Sequence, residues 1–309
     1  MMKRKGMKSS LVLLFTVILF LNCLLVSAQD YSDILSTDIS KSNDIEEYTN
    51  EMIQNNYTNV SAEYTMGVYD GDVIEIPIDT AYVKKSDGKL TSENANYKND
   101  VVDLTIGDRA SFVINVPETA QYYISFDYYA YSDSVLPVEF SLSVNGEIPF
   151  YEARNLIFES TWIKKDEKSY DRYGNEIVTV PDKLIRWENK FIMDRSYRYS
   201  TPLALELEKG KNVFEIEMAE GSVLLGNIYL SGGVEIADYI KKERAEGEKL
   251  IVIEAEQIYY RNDSSIRPTY EYDKSLTPYD PSKKLLNVID STSFTNAGQT
   301  ITYEFNIEE

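Results

Sequence analysis

The chain has 309 residues and a formal net charge of −20, from 51 acidic and 31 basic residues. A protein this acidic repels phosphate backbones, which argues against nucleic acid as a partner. Hydrophobic residues make up 43% of the chain and aromatic residues 12%. This is enough apolar material for a packed core, so wholesale disorder is excluded.

Two absences narrow the chemistry. The chain contains no histidine, and Cys23 is its only cysteine. Nucleophilic catalysis by Ser-His or Cys-His pairs and zinc sites built from His and Cys are therefore ruled out. What remains is chemistry by carboxylates, tyrosine, lysine or arginine, calcium held by carboxylates, or no chemistry.

Residues 1–28 have the three parts of a secretory signal peptide. A head with four basic residues precedes an apolar stretch from Leu11 to Val26, and Val26-Ser27-Ala28 supplies a small-residue cleavage site. Cleavage would leave a more acidic, cysteine-free protein, secreted or at the cell surface of a bacterium.

The alternatives to cleavage are lipid attachment at Cys23 and a retained membrane anchor. Cleavage is favoured because Asn22 is not the small residue expected before a lipidated cysteine, and because the run is short for a membrane span.

Residues 29–65 are polar and acidic and are predicted to form an N-terminal arm. One short helix is predicted there, from Asp44 to Asn55, because its apolar residues would share one face.

Residues 66–232 are predicted to form a β-sandwich module, because their apolar residues alternate in short runs bounded by turn residues. An opening strand begins at Val73, and further strands are predicted over 112–116, 122–128, 138–144 and 223–230. Asn145-Gly146 is typical of a type I′ hairpin turn, in which both central residues need a positive φ. A second hairpin is predicted to join residues 203–207 to residues 213–218.

Residues 150–200 interrupt this pattern with a long aromatic and charged insertion. An insertion of this length in a compact β domain is usually functional or packs as its own subdomain. Trp162, Trp187 and Tyr173 lie in it, and flat aromatic rings can stack on a sugar ring while polar neighbours bind its hydroxyl groups. The alternative for each ring is ordinary core packing.

A linker helix is predicted within residues 233–248, and an internal repeat follows it. Residues 107–118 align without gaps to residues 298–309, with glycine, aromatic and acidic positions in common. Residues 249–309 are therefore interpreted as a truncated second β-sandwich module. Such a segment should be loosely ordered, or should dock strand against strand on the first module or on another copy of the protein.

Two sequence segments suggest a family. They run from Val144 to Arg154, followed by Trp162, and from Arg261 to Pro268, before Gly298. The sequence resembles galactose-binding-like β-sandwiches used as carbohydrate-binding modules, and in particular the N-terminal region of large extracellular solute-binding proteins of bacterial carbohydrate ABC importers. The resemblance implies a galactose-binding-like jelly roll, a glycan ligand, and importer membrane subunits reached through a solute-binding domain that this chain lacks.

Charged side chains provide the other candidate site residues. Glu152 and Arg154 could bind a sugar hydroxyl, or could form a structural salt bridge. Glu254 and Glu256 alternate along a predicted strand, and in the sandwiches that the chain resembles such a pair contributes to a structural calcium site. Their alternative is a solvated strand face. Asp263 is interpreted as a turn residue.

Three classes of function fit these observations. The first is a secreted noncatalytic carbohydrate-binding module, without a cofactor other than structural calcium, and it is the one that the sequence favours. The second is a structural or protein-docking spacer. The third is an accessory module of a polysaccharide-degrading enzyme, or the enzyme itself acting through two carboxylates. No motif singles out such a catalytic pair, so we predict that the protein is not an enzyme.

Overall fold

The computed structural model describes residues 49–50, 52–84, 87–165, 169–178, 180–199, 201–233, 250–253, 257–271, 280–282, 285–287 and 294–306. The chain divides into two compact units, Met1–Asn56 and Tyr57–Glu309. In the first unit, residues 49–50 and 52–54 are helical, within the predicted helix. The predicted signal peptide, the linker helix, Glu254 and Glu256 lie outside the described residues. Within the described ranges, no helix is long and apolar enough to cross a membrane.

The second unit is built mainly of strands. In chain order they are β1 (Ile74–Ile76), β2 (Lys89–Thr91), β3 (Val101–Leu104), β4 (Arg109–Val116), β5 (Ala120–Ala130), β6 (Val138–Val144), β7 (Leu156–Phe158), β8 (Thr161–Ile163), β9 (Ser169–Tyr170), β10 (Glu176–Ile177), β11 (Asp182–Leu184), β12 (Trp187–Phe191), β13 (Met193–Asp194), β14 (Ala204–Leu207), β15 (Gly210–Glu220), β16 (Val223–Ser231), β17 (Tyr260–Arg261), β18 (Thr269–Glu271), β19 (Leu285–Asn287) and β20 (Ile301–Thr302). The helical segments are α1 (Tyr57–Ala62), α2 (Ile78–Ala81) and a 3₁₀ turn (Tyr151–Arg154).

Two antiparallel sheets form the sandwich. The first sheet has the order β12-β5-β16-β3-β2, with β1 beside β16 and β14 beside β5. The second has the order β13-β7-β6-β15-β4. Strand β5 shows how the sequence specifies this packing, because Tyr122, Ile124, Phe126 and Tyr128 are buried while the residues between them are mostly half-buried on the outer face. The predicted all-β, antiparallel sandwich is confirmed.

Aromatic rings fill the space between the two sheets. Phe140 and Phe158 stack with ring centroids 4.3 Å apart, and Phe158 also contacts Phe126 and Tyr128. Phe126, Tyr128 and Phe140 are fully buried or nearly so, and Phe158 is 2% exposed. Each such ring removes a large apolar area from water, so this cluster supplies much of the driving force for folding.

The predicted turn at Asn145-Gly146 is confirmed, with φ of 53° and 88° at the two residues. Val144 and Glu147 exchange both backbone hydrogen bonds across it, at 2.8 and 3.1 Å. The pairing stops after this single bridge, and β6 instead pairs with β7 and β15 along its length.

The second predicted hairpin is wrong. Strand β14 pairs with β5 in the first sheet, whereas β15 pairs with β4 and β6 in the second. The chain therefore changes sheets between Leu207 and Gly210. An alternating pattern shows which face of a strand is buried but does not identify its partner, and a chain that crosses the core has the same pattern as a hairpin.

The insertion does not form a separate subdomain. Its strands β7 and β13 extend the second sheet, and β12 forms an edge of the first. Strands β8 and β11 belong to a third sheet of order β11-β8-β17-β20, in which Arg261 lies opposite both Trp162 and Ile301. Described residues of the C-terminal segment thus dock strand against strand on the first module. Two further pairs, β9 with β10 and β18 with β19, stand apart from these sheets.

Candidate functional site

A cavity of about 640 Å³ lies where the insertion meets the C-terminal segment. Its walls come from residues 135–137, from the β7–β8 region, from residues 195–197, and from two C-terminal stretches, 262–264 and 296–299. Its volume is in the range of small-molecule binding sites. The docking of β17 on β8 brings these parts of the sequence together.

Ser160 lies in the wall of this cavity, with its hydroxyl group buried. Ser160 is 5% exposed, and its Oγ has no hydrogen-bond partner among the described residues. A buried hydroxyl without a partner costs about 1–3 kcal/mol, so such groups are rare in native proteins and call for an explanation. Because this Oγ is not accessible to water, a ligand in the cavity does not reach it, and the open polar groups of the wall are instead the half-buried Ser264 and the exposed Asn296.

Amide and carboxylate groups line the C-terminal wall. The Nε2 of Gln299 donates to Asp263 Oδ2 at 2.7 Å and to Ser265 Oγ at 3.0 Å. The backbone amide of Ser265 donates to Asp263 Oδ1 at 2.8 Å, which confirms the predicted turn chemistry at Asp263. The turn thereby holds one carboxylate and one amide rigidly at the cavity wall.

Glu159 links the two halves of the site. Its carboxylate accepts hydrogen bonds from Lys190 Nζ at 3.0 Å, from Asn262 Nδ2 at 3.1 Å, and from the hydroxyl of Tyr197. Burial alone would raise the pKa of Glu159, but the Lys190 ammonium group and these hydrogen bonds together hold that pKa below its usual range. Burial, together with the Glu159 carboxylate, raises the pKa of Tyr197. Glu159 is therefore ionised and Tyr197 protonated at neutral pH.

Of the three predicted stacking residues, Trp162 lines this cavity but is largely buried. It is 4% exposed, and Lys183 Nζ lies 5.9 Å from its ring centroid. Burial lowers the pKa of Lys183. The ring therefore contributes to the wall without presenting a free face on the surface.

The other two predicted rings lie elsewhere. Trp187 lies on the outer face of the first sheet, against Tyr97 at 4.3 Å and Tyr129 at 5.6 Å between centroids, and its Nε1 donates to the Ala95 carbonyl at 3.1 Å. Tyr173 lies in the turn between β9 and β10 and is 46% exposed, with the Arg172 guanidinium group 4.7 Å from its ring centroid. The structure does not bring Trp162, Trp187 and Tyr173 together into one surface.

Glu152 and Arg154 lie on the 3₁₀ turn. The buried carboxylate of Glu152 accepts from the backbone amide of Tyr57 at 2.8 Å and from the hydroxyl of Tyr199 at 3.0 Å, with Arg198 Nη1 at 3.6 Å. These contacts anchor α1 and the end of the insertion, which is a structural role. The side chain of Arg154 is exposed.

The described residues contain no cluster of three or more acidic, histidine or cysteine side chains able to hold a metal ion. Glu254 and Glu256, the predicted calcium ligands, lie outside these residues. Calcium binding there stays a prediction.

Sequence reasoning missed most of the cavity residues. Glu159, Ser160 and Tyr197 lie in the insertion without a recognisable motif, and their proximity depends on tertiary contacts. The string containing Asn262 and Asp263 and the repeated glycine before Gln299 were the available signals.

No protein-family model matches the chain, and a search of curated proteins finds no match. Among solved structures, the chain is similar to a family 35 carbohydrate binding module from Clostridium thermocellum, at 13% identity and a TM-score of 0.31, over 52% of this chain and 98% of that one. It is also similar to a CBM35 from Cellvibrio japonicus, at 11% identity and a TM-score of 0.33, over 53% and 95%.

A third similar structure is a cycloisomaltooligosaccharide glucanotransferase of Paenibacillus sp., complexed with cycloisomaltoheptaose, at 16% identity and a TM-score of 0.32. The match covers 53% of this chain and 19% of the glucanotransferase. The β-sandwich assignment rests on the strand pairing and core described above.

Proposed function

We propose that this protein is a noncatalytic carbohydrate-binding module and that its cavity between the insertion and the C-terminal segment binds a neutral sugar. The observation that carries this proposal is a cavity of about 640 Å³ whose wall brings together hydroxyl, amide and carboxylate groups with an aromatic ring. Sugars present closely spaced hydroxyl groups that both donate and accept hydrogen bonds. The cavity offers an acceptor at Asp263, a hydroxyl at Ser264, an amide at Asn296, and the aromatic side chain of Trp162 in its wall.

The charges at the cavity favour a neutral sugar over an acidic one. The carboxylates of Glu159 and Asp263 both lie on its wall. Nearby cations are already engaged, since Lys190 pairs with Glu159 and Arg195 pairs with Glu139, each at 3.0 Å. A uronate or sulfate group would therefore meet like charge in a partly desolvated space.

The same groups argue against hydrolysis. A glycosidase needs one carboxylic acid that is protonated at the working pH, and such residues have raised pKa values. The pKa of Glu159 is lowered instead, and both of its oxygens accept hydrogen bonds from neighbouring side chains. This carboxylate is positioned as a fixed acceptor and structural support, not as a proton donor.

The proposal is tested by glycan-array binding of the whole chain alongside an assay for release of reducing sugars. We expect binding to neutral glycans without release. Replacing Ser264→Ala should weaken that binding about threefold to tenfold, because one hydrogen bond is lost. It should change the unfolding free energy by less than about 0.5 kcal/mol, because Ser264 is only half-buried. The matched control is Ser141→Ala on β6, away from the cavity. Sugar release, or a Ser264→Ala variant that binds as well as the parent, would contradict the proposal.

Two finer expectations remain proposals. Export through residues 1–28 is supported by the basic head and apolar stretch. The molecular mass of the protein recovered from the culture medium would test it, because cleavage removes residues 1–28. Origin from the solute-binding protein of an ABC importer is supported by the two sequence strings around Asn145 and Arg261, and binding of importer membrane subunits would test it. The spacer role is the alternative if no glycan binds.

A further inference from the structure

A second cavity, of about 530 Å³, shares a wall with the first. Three residues line both cavities: Glu159, Tyr197 and Gly298. The remainder of the second cavity is formed by residues 189–191 and Met193, by residues near the end of the insertion, and by Thr300.

The two cavities differ in chemistry. The second one has apolar walls from Phe191, Met193 and Pro202, with polar groups from Asn189 and Thr300. The first is lined more by amide, hydroxyl and carboxylate groups. A pyranose ring has an apolar face as well as polar edges, so an apolar pocket beside a polar one suits two consecutive sugar units in different orientations.

The shared wall is held in place from several directions. Tyr197 adopts a left-handed backbone conformation with φ of 47°, which is uncommon for a bulky residue and persists only where surrounding contacts enforce it. Its hydroxyl donates to Glu159, and its ring lies against Gly298.

The Glu159 carboxylate is held from both cavities. Its Oε1 accepts from Asn262, which lines the first cavity, and its Oε2 accepts from Lys190, which lines the second. The wall is thus a fixed partition that a ligand can contact from either side.

We propose that the two cavities are adjacent subsites of one cleft, with Tyr197 and Glu159 as the partition, and that the ligand is an oligosaccharide of two or more units. This inference rests on the proposed function. A monosaccharide can occupy only one subsite, whereas an oligosaccharide gains the contacts of both without a second loss of translational freedom.

The test is isothermal titration calorimetry of the whole chain with glucose, mannose and their linear β-1,4-linked oligomers of two to six units. Affinity should rise about tenfold or more between one and three units and then level off. Phe191→Ala and Thr300→Val alter only the second cavity, so they should reduce this gain while leaving monosaccharide affinity within about twofold. Thr300→Val guards against loss of folding, because Thr300 is exposed. Ser264→Ala, which alters only the first cavity, should in contrast weaken binding at every length.

The outcomes separate the two proposals. Equal affinity at all lengths, with Phe191→Ala and Thr300→Val binding like the parent, would overturn the two-subsite cleft and leave the proposed function intact. No binding by either series at any length, together with no neutral glycan bound on the array, would overturn both.

Discussion

The aromatic ring of Tyr197 lies directly against the backbone of Gly298. A Cβ atom added to Gly298 would lie 2.0 Å from Cγ of Tyr197, a separation that real contacts do not reach. Gly298 also has a φ of 78°, which side chains rarely adopt. Both features require glycine at this position. The contact joins the C-terminal segment to the insertion and forms one wall of the cavity.

Replacing Gly298→Ala should therefore destabilise the protein and disturb the cavity. The positive φ costs about 1–2 kcal/mol for alanine, and displacement of the Tyr197 ring adds about 1–3 kcal/mol. Its control is Gly107→Ala, because Gly107 is the matching position of the repeat, with a φ of 85° and open space around its Cβ position. Urea denaturation should show the larger loss at Gly298. Equal losses would mean that the Tyr197 contact contributes nothing.

Trp162 and Tyr173 should respond very differently to truncation. Trp162→Ala empties a buried site between β8 and the cavity and should cost about 3–5 kcal/mol of unfolding free energy. Tyr173→Ala removes a half-exposed ring and should change stability by less than about 0.5 kcal/mol. Thermal melts of both variants check this. A stable Trp162→Ala variant would show that this ring is not part of the core.

Much of the fold could be predicted from the sequence because the alternation of apolar and polar residues within a strand shows which of its faces is buried. The alternation in residues 120–130 and the Asn145-Gly146 turn each depend on a few neighbouring residues, and both predictions are confirmed. The partner of a strand is not recorded in this way. Strands β14 and β15 have the pattern of a hairpin, although β14 lies in the first sheet, beside β5, and β15 lies in the second sheet, beside β6.

The candidate site was harder to predict for a related reason. The location of three aromatic rings in the insertion predicts sugar stacking, yet alternation and composition do not show which rings become covered, and Trp162 is almost completely buried. The cavity unites Ser160 with Asp263, more than a hundred positions apart, through the pairing of β8 with β17. No local pattern encodes such a contact.

Asn145 should stabilise its turn through its side chain as well as its φ. Its Oδ1 accepts from the backbone amide of Val213 at 2.8 Å, and its Nδ2 donates to Asn212 Oδ1 at 3.0 Å. Asn145→Ala loses both hydrogen bonds and adds a strained φ, so it should cost about 2–3 kcal/mol. Asn145→Gly keeps the φ and should recover part of this loss in urea denaturation. If the two variants were equally stable, the positive φ at this position would carry no measurable strain.

The last prediction concerns the pH dependence of stability at Glu159. Its pKa in the folded protein lies below the ordinary value of about 4.3 for glutamate. The folded protein therefore binds this proton less tightly than the unfolded chain does. The resulting stabilisation is fully present above the ordinary pKa and is lost as the pH falls through the folded pKa. Replacing Glu159→Gln removes this contribution, so the variant should lose less stability than the parent on acidification from about pH 5 to pH 3.

Glu139 provides the matched control, because its pKa is shifted in the opposite direction. Burial raises the pKa of Glu139, although Arg195 partly opposes this, so the folded protein binds that proton more tightly than the unfolded chain. Glu139 therefore adds stability as the pH falls, and Glu139→Gln should make acid destabilisation steeper while Glu159→Gln makes it shallower. Urea midpoints measured across this pH range, with unchanged m-values, would separate the two effects. Parallel pH profiles for the parent and Glu159→Gln would show that Lys190, Tyr197 and Asn262 do not hold the carboxylate in its ionised form.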